Sequence, residues 1–148
     1  MTAMLAAVTC VLTMIIKIPS PLKGYLNLGD CAVLLSGWML SPVYGFAAAA
    51  VGSALADVFS GYVLYAPATF LIKGIMALVA HNIGRKNKLL SGISAELVMV
   101  LGYYIFEGFI YGFISSAVNL PANFIQGVAG LITGMFLVKF TKKFKLSI

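Results

Sequence analysis

Long apolar runs alternate along this chain with short clusters of polar, glycine and proline residues, and six membrane spans can be drawn through them. The first covers 2–16 and is closed by Lys17, Pro19 and Pro21. A polar loop, KGYLNLGD, follows, and Asp30 is placed to cap or open the second span, 30–40. Ser41-Pro42 turns into the third, 43–59. The loop SGYVLY leads to Pro67, whose fixed φ suits the first turn of the fourth span, 67–83. A basic loop, Gly84-Arg-Lys-Asn-Lys, precedes the fifth span, 93–117, and Asn119-Leu-Pro121 turns into the sixth, 122–140. The chain opens in apolar sequence with no basic n-region, so 2–16 reads as a membrane helix rather than a removable signal.

Composition agrees. Hydrophobic residues make up 61% of the 148 positions and charged ones 9%, against roughly 25% charged in a soluble domain. The expected fold is an all-α membrane protein, a single bundle of six transmembrane helices, with 1–148 one substrate-binding domain. The +6 net charge does not point to nucleic acid, because the basic residues collect at span ends. Arg85, Lys86 and Lys88 in one loop and Lys139, Lys142, Lys143 and Lys145 near the C-terminus fall on one side, which the positive-inside rule makes cytoplasmic. Both termini are then cytoplasmic, and a bacterial plasma membrane is the expected location. Lys17 and Lys23 depart from the rule by lying outside.

Small residues mark helix seams, since helices in lipid associate mainly by close van der Waals contact. Ala3 and Ala7 form such a pair on the first span, Ala48, Gly52 and Ala56 a stripe on the third, and Gly127, Gly130 and Gly134 another on the sixth. The first span, being terminal, has an outward face free for a partner.

Ionisable groups inside a membrane are expensive and point to function by default. The stretch GSALADVFSGYVLYAPATFLIK, 52–73, carries Asp57, Tyr62, Tyr65 and Lys73. At about 1.5 Å rise per residue, Lys73 lies roughly 9 Å and Gln126 roughly 8 Å in from the outer side, with Asn123 shallower and Glu107 near the midplane. Tyr103, Glu107 and Tyr111 repeat at four-residue spacing and share a face. With Tyr25, Asn27 and Asp30 from the outer loop, these residues describe a pocket that opens outward. The competing reading makes Lys73 a buried strut to Glu107 or Asp57 and the tyrosines an interfacial belt. Glu96 is expected in a solvated salt bridge near the basic loop, and His81 in a structural role at the cytoplasmic end. Cys10 and Cys31 read as packing residues. Nothing supports an enzyme: there is one histidine, no metal-type cluster and no phosphate-binding loop.

The block ALAD–GY–YAP–T–IKG, with GYLNLGD before it and Ala3-xxx-Ala7 at the start, resembles the substrate-binding S components of energy-coupling factor vitamin transporters. The resemblance covers nearly the whole chain and is closest to the branch of riboflavin, hydroxymethylpyrimidine and pyridoxine carriers. It implies a high-affinity vitamin binder that docks on a transmembrane T subunit and two cytoplasmic ATPases. It further implies that the loop after the first span closes over the ligand, that spans four to six line the pocket, and that Ala3 and Ala7 meet the T subunit. ATP would be used by the partners and no cofactor held by this chain. The residues independently suit a compact pyridine or pyrimidine, stacked on the tyrosines, over folate; riboflavin is the alternative, and a structural or assembly membrane protein the rival of another class.

Overall fold

The computed structural model describes residues 1–21 and 24–143, apart from the side chains of 142 and 143. Lys23, Lys145 and the side chains of Lys142 and Lys143, invoked above for topology, lie outside what is described.

The apolar runs become helices: α1 Thr2–Ile15, α2 Gly29–Met39, α3 Pro42–Phe59, α4 Ala66–Gly84, α5 Lys88–Tyr111, the short α6 Phe113–Ser116, and α7 Leu120–Lys143, which follows a 3-10 turn at Ala117–Asn119. Pro67 lies in the first turn of α4, as expected, and Pro42, expected in the preceding turn, is the first residue of α3. Between α1 and α2 the outer loop forms a small antiparallel hairpin, β1 Ile18–Pro19 with β2 Tyr25–Leu26, pairing Ile18 with Leu26. Four helical stretches among the described residues are long and apolar enough to cross a membrane, and α1 is a shorter apolar helix.

The fifth helix departs from expectation at both ends. It begins at Lys88 rather than 93, because the Asn87 side chain caps it by accepting the Leu90 N–H at 3.1 Å. It stops at Tyr111 rather than 117, because Gly112 has φ +91°, a conformation that suits glycine alone. The chain then folds back on α5, with Ser116 Oγ donating to the Tyr104 carbonyl at 2.8 Å and Phe113 packing on Phe109 and Tyr104. Gly61, at φ +83°, makes the corresponding turn between α3 and α4.

With 11 residues, α2 rises only about 16 Å, half the length of a full span. His81 of α4 secures its C-terminus, its Nδ1 lying 2.9 Å from the Leu40 carbonyl and 3.2 Å from that of Gly37. The histidine is structural, as its position suggested. Around α2 sits the core, Val33, Leu34, Ala49, Ile72, Met76, Ala77, Ala80, Ala95 and Met99, drawn from α2, α3, α4 and α5.

The small-residue stripes are the seams. A methyl group added at Gly52 of α3 would collide with the Ala6 carbonyl of α1. One at Gly130 of α7 would sit 2.7 Å from Asp30 Cβ, and one at Gly134 3.3 Å from Leu34, both on α2. On α1, Leu5, Thr9 and Thr13 face inward, with both threonine hydroxyls satisfied by carbonyls one turn earlier. Ala3 and Ala7 lie on the opposite, exposed face with Met4, Val8 and Val11.

Candidate functional site

At the loop end, where the hairpin meets the α3–α4 turn, a polar cleft is lined by Ser20, Gly24, Tyr25, Asn27, Asp57, Tyr62, Tyr65, Thr69, Tyr103, Glu107, Asn123 and Gln126. Eight of these are among the eleven binding residues expected from sequence, which came from five separate stretches of the chain. Ser20, Gly24, Asp57 and Thr69 complete the lining. Asp57 stood out beforehand as an ionisable residue in a span, and Thr69 lies one turn before Lys73 on α4; for Ser20 and Gly24 the sequence offered no signal.

Aromatic rings close the mouth. Tyr25 of β2 packs on Tyr62 with ring centroids 4.7 Å apart, and Tyr62 meets Tyr65 edge-on at 6.4 Å. Lys17 lies over the Tyr25 ring and donates to Ser60 Oγ at 2.6 Å. The space left inside is about 30 Å³, room for roughly one water molecule. A vitamin-sized ligand therefore requires these rings to part.

Beneath the mouth the polar groups form two clusters. In the first, Tyr25 Oη donates to Asp57 Oδ1 at 2.6 Å, and Thr69 Oγ1 and Tyr103 Oη are hydrogen-bonded at 2.9 Å. Burial, and after it the Asp57 carboxylate, raises the Tyr25 phenol above its usual pKa, so the hydroxyl stays protonated as the donor. In the second, Glu107 Oε1 accepts from Asn119 Nδ2 at 2.9 Å and from Tyr65 Oη at 3.2 Å. The Tyr65 phenol is raised likewise, by burial first and then by Glu107. Because α5 ends at Tyr111 rather than 117, Glu107 sits one turn from the C-terminal end of its helix.

Lys73 and Asp30 lie behind the lining, not in it. They form an ion pair between α4 and α2, with relative exposures of 3% and 0%. Lys73 is thus a strut, as one reading held, but its partner is Asp30 rather than Glu107 or Asp57. The pair is tied to the cleft through Gln126, whose Nε2 donates to Asp30 Oδ2 at 2.7 Å while its Oε1 accepts the Asn27 N–H at 3.0 Å. Asn27 Oδ1 in turn accepts the Gly29 N–H at 2.8 Å, and Lys73 Nζ lies 5.5 Å from the Tyr103 ring centroid. Tyr111, the last residue of α5, interacts with Tyr65 but does not line the cavity.

Glu96 corrects another expectation. It is 6% exposed, with neither carboxylate oxygen hydrogen-bonded, and it faces Gly127 and Gly130 of α7. It lies more than two turns inside α5, too far from the basic loop for a solvated salt bridge. No group of three or more His, Cys, Asp or Glu is arranged to hold a metal among the described residues.

Comparisons with known proteins agree with this fold. The profile of the family described as "ECF-type riboflavin transporter, S component" matches residues 1–143. A solved structure described as "Structure and mechanism of the S component of a bacterial ECF transporter" superimposes with a TM-score of 0.79 and 28% sequence identity, covering 99% of this chain and 95% of that one. A Pyrococcus woesei protein, described as an uncharacterized protein in a gap 3′ region, is 38% identical over 141 residues, covering 90% of this chain and 93% of its own. The chain belongs to the family of ECF-type riboflavin transporter S components. It is accordingly a vitamin-binding subunit of a membrane transporter, not an enzyme.

Proposed function

We propose that the chain captures riboflavin from outside the cell and hands it inward with the help of an ATP-driven module. The observation that carries this reading is the cleft at the hairpin end, where four tyrosines, one from β2, two from the α3–α4 turn and one from α5, surround hydrogen-bonding groups from α3, α4, α5 and α7. Aromatic walls with a few directed polar atoms suit a flat heteroaromatic ring. The family profile favours riboflavin over the compact pyridine or pyrimidine that the residues alone suggested.

In this reading α1–α5 and α7 are six spans with both termini cytoplasmic in a cell membrane, and 1–148 acts as one unit. The hairpin lies at the mouth, and capture begins when Tyr25 leaves Tyr62 and the ring enters between them. Delivery needs an outside energy source, supplied by a T subunit and two ATPases. The T subunit docks on the exposed Ala3 and Ala7 face of α1, where small residues permit close approach.

Thermal melting of the purified protein with riboflavin, pyridoxine, hydroxymethylpyrimidine and folate tests the substrate. Riboflavin at a hundredfold excess over Kd should stabilise by about 2.7 kcal/mol, and the others far less. A larger shift with a pyridine or pyrimidine would replace riboflavin, and no shift with any vitamin would remove the binding function.

A further inference from the structure

Two carboxylates line the cleft, and each has one oxygen left over. Asp57 is 5% exposed and Glu107 2%. Tyr25 serves Asp57 Oδ1, while Tyr65 and Asn119 both serve Glu107 Oε1. Asp57 Oδ2 and Glu107 Oε2 are buried with no hydrogen-bond partner, and although Thr69 bears on Asp57 it closes no bond to Oδ2. A buried polar atom without a partner is costly, so a site that keeps two of them gains when a ligand supplies the missing donors.

The described cations are elsewhere. Among the described residues no lysine or arginine lines the cleft. Lys73 is consumed by Asp30 behind the wall, and Lys17 is engaged with Ser60 and the Tyr25 ring at the mouth. Among the described residues, an anionic ligand would meet two carboxylates and no free cation within the cavity.

We infer that Asp57 and Glu107 are the specificity residues of this cleft, each accepting an N–H or O–H of the ligand through Asp57 Oδ2 and Glu107 Oε2. The cleft thereby takes an uncharged, donor-rich ligand and rejects its anionic forms. For a flavin the donors are the side-chain hydroxyls and the ring N–H, and the rejected form is the phosphate monoester. This inference rests on the proposed flavin-binding function and adds a selection rule to it.

The test is equilibrium binding of riboflavin and of its phosphate monoester to wild type, Asp57→Asn and Glu107→Gln, each variant first checked by its melting temperature without ligand. Wild type should bind the monoester more than about tenfold more weakly than riboflavin, the scale of one charged hydrogen bond lost. Each variant should lose about tenfold or more for riboflavin while the monoester is unchanged or improved, so the preference narrows. Equal affinity of wild type for both, or an equal loss of both in the variants, would overturn the inference while leaving flavin binding intact. Should Asp57→Asn fail to fold, the wild-type preference and Glu107→Gln still decide. Failure of wild type to bind either flavin would remove the proposed function itself.

Discussion

The two ends of the bundle, one at the hairpin and one at the α4–α5 loop, treat their buried polar groups differently. At the α4–α5 loop end, helices approach closely at Gly37 and Gly45, and polar side chains are tied to neighbours in the His81 contacts to α2 and the Trp38 Nε1 bond to Ser91 Oγ at 2.8 Å, with Glu96, two turns further in, the exception. At the hairpin end, carboxylates from α3 and α5 are half-satisfied and Tyr25 packs on Tyr62. Close packing leaves nothing to bind, whereas a site must hold back some of its hydrogen-bonding capacity until the ligand arrives. The Asp30–Lys73 pair, with Gln126, is the joint between these two regimes.

Breaking that joint should have the largest effect. Lys73→Ala leaves the Asp30 carboxylate buried and unpaired, at about 3–5 kcal/mol, so the melting temperature should fall steeply and binding with it. Adding Asp30→Asn to Lys73→Met removes the stranded charge and should recover most of the stability. A Lys73→Ala variant that melts normally and loses only binding would return the lysine to the ligand and dissolve the distinction between strut and lining. Next in size is Gly130→Leu, whose Cβ alone would sit 2.7 Å from Asp30 Cβ. Overpacking of this kind costs about 1–3 kcal/mol, visible as a lower melting temperature.

Smaller effects should sort by end of the molecule. Tyr62→Ala removes a stacking surface worth about 0.5–1.5 kcal/mol, so riboflavin affinity should fall roughly threefold to tenfold with little change in melting without ligand. Trp38→Phe deletes the bond to Ser91 at the other end, and a melting loss of about 1 kcal/mol with unchanged affinity is expected. Affinity loss from Trp38→Phe comparable to that from Tyr62→Ala would mean that the two ends are not functionally separate.

Much of this division was legible in the sequence, and the exceptions have physical causes. Span order, the placing of Pro67 in the first turn of α4 and the eight cleft residues follow from local rules: apolar run length, proline geometry and the spacing of polar groups along a helix. The partner of Lys73 does not, because Asp30, Asp57 and Glu107 all lie within plausible reach of it along the chain, and only the crossing of α2 over α4 decides among them. Glu96 was assigned to solvent from its sequence distance to Arg85 and Lys88, but the cap at Asn87 extends α5 outward and leaves the carboxylate inside. The end of α5 was missed because Gly112 sits in an apolar run, and its positive φ is a tertiary choice stabilised by Phe113 and Ser116 packing back on the helix.

Tyrosine is the natural reporter for the central claim, since Tyr25, Tyr62, Tyr65 and Tyr103 line the outer cleft while Tyr44 stands 61% exposed at the start of α3 on the opposite side. Fluorotyrosine can be incorporated and the ¹⁹F resonances assigned by single Tyr→Phe substitutions, then followed as riboflavin is added. The four cleft resonances should shift and saturate together with the binding isotherm, Tyr25 and Tyr62 most because their mutual stacking is broken, and Tyr44 should stay where it is. A titration in which riboflavin binds but moves Tyr44, leaving Tyr25 and Tyr62 unchanged, would contradict the assignment of the ligand to the outer cleft.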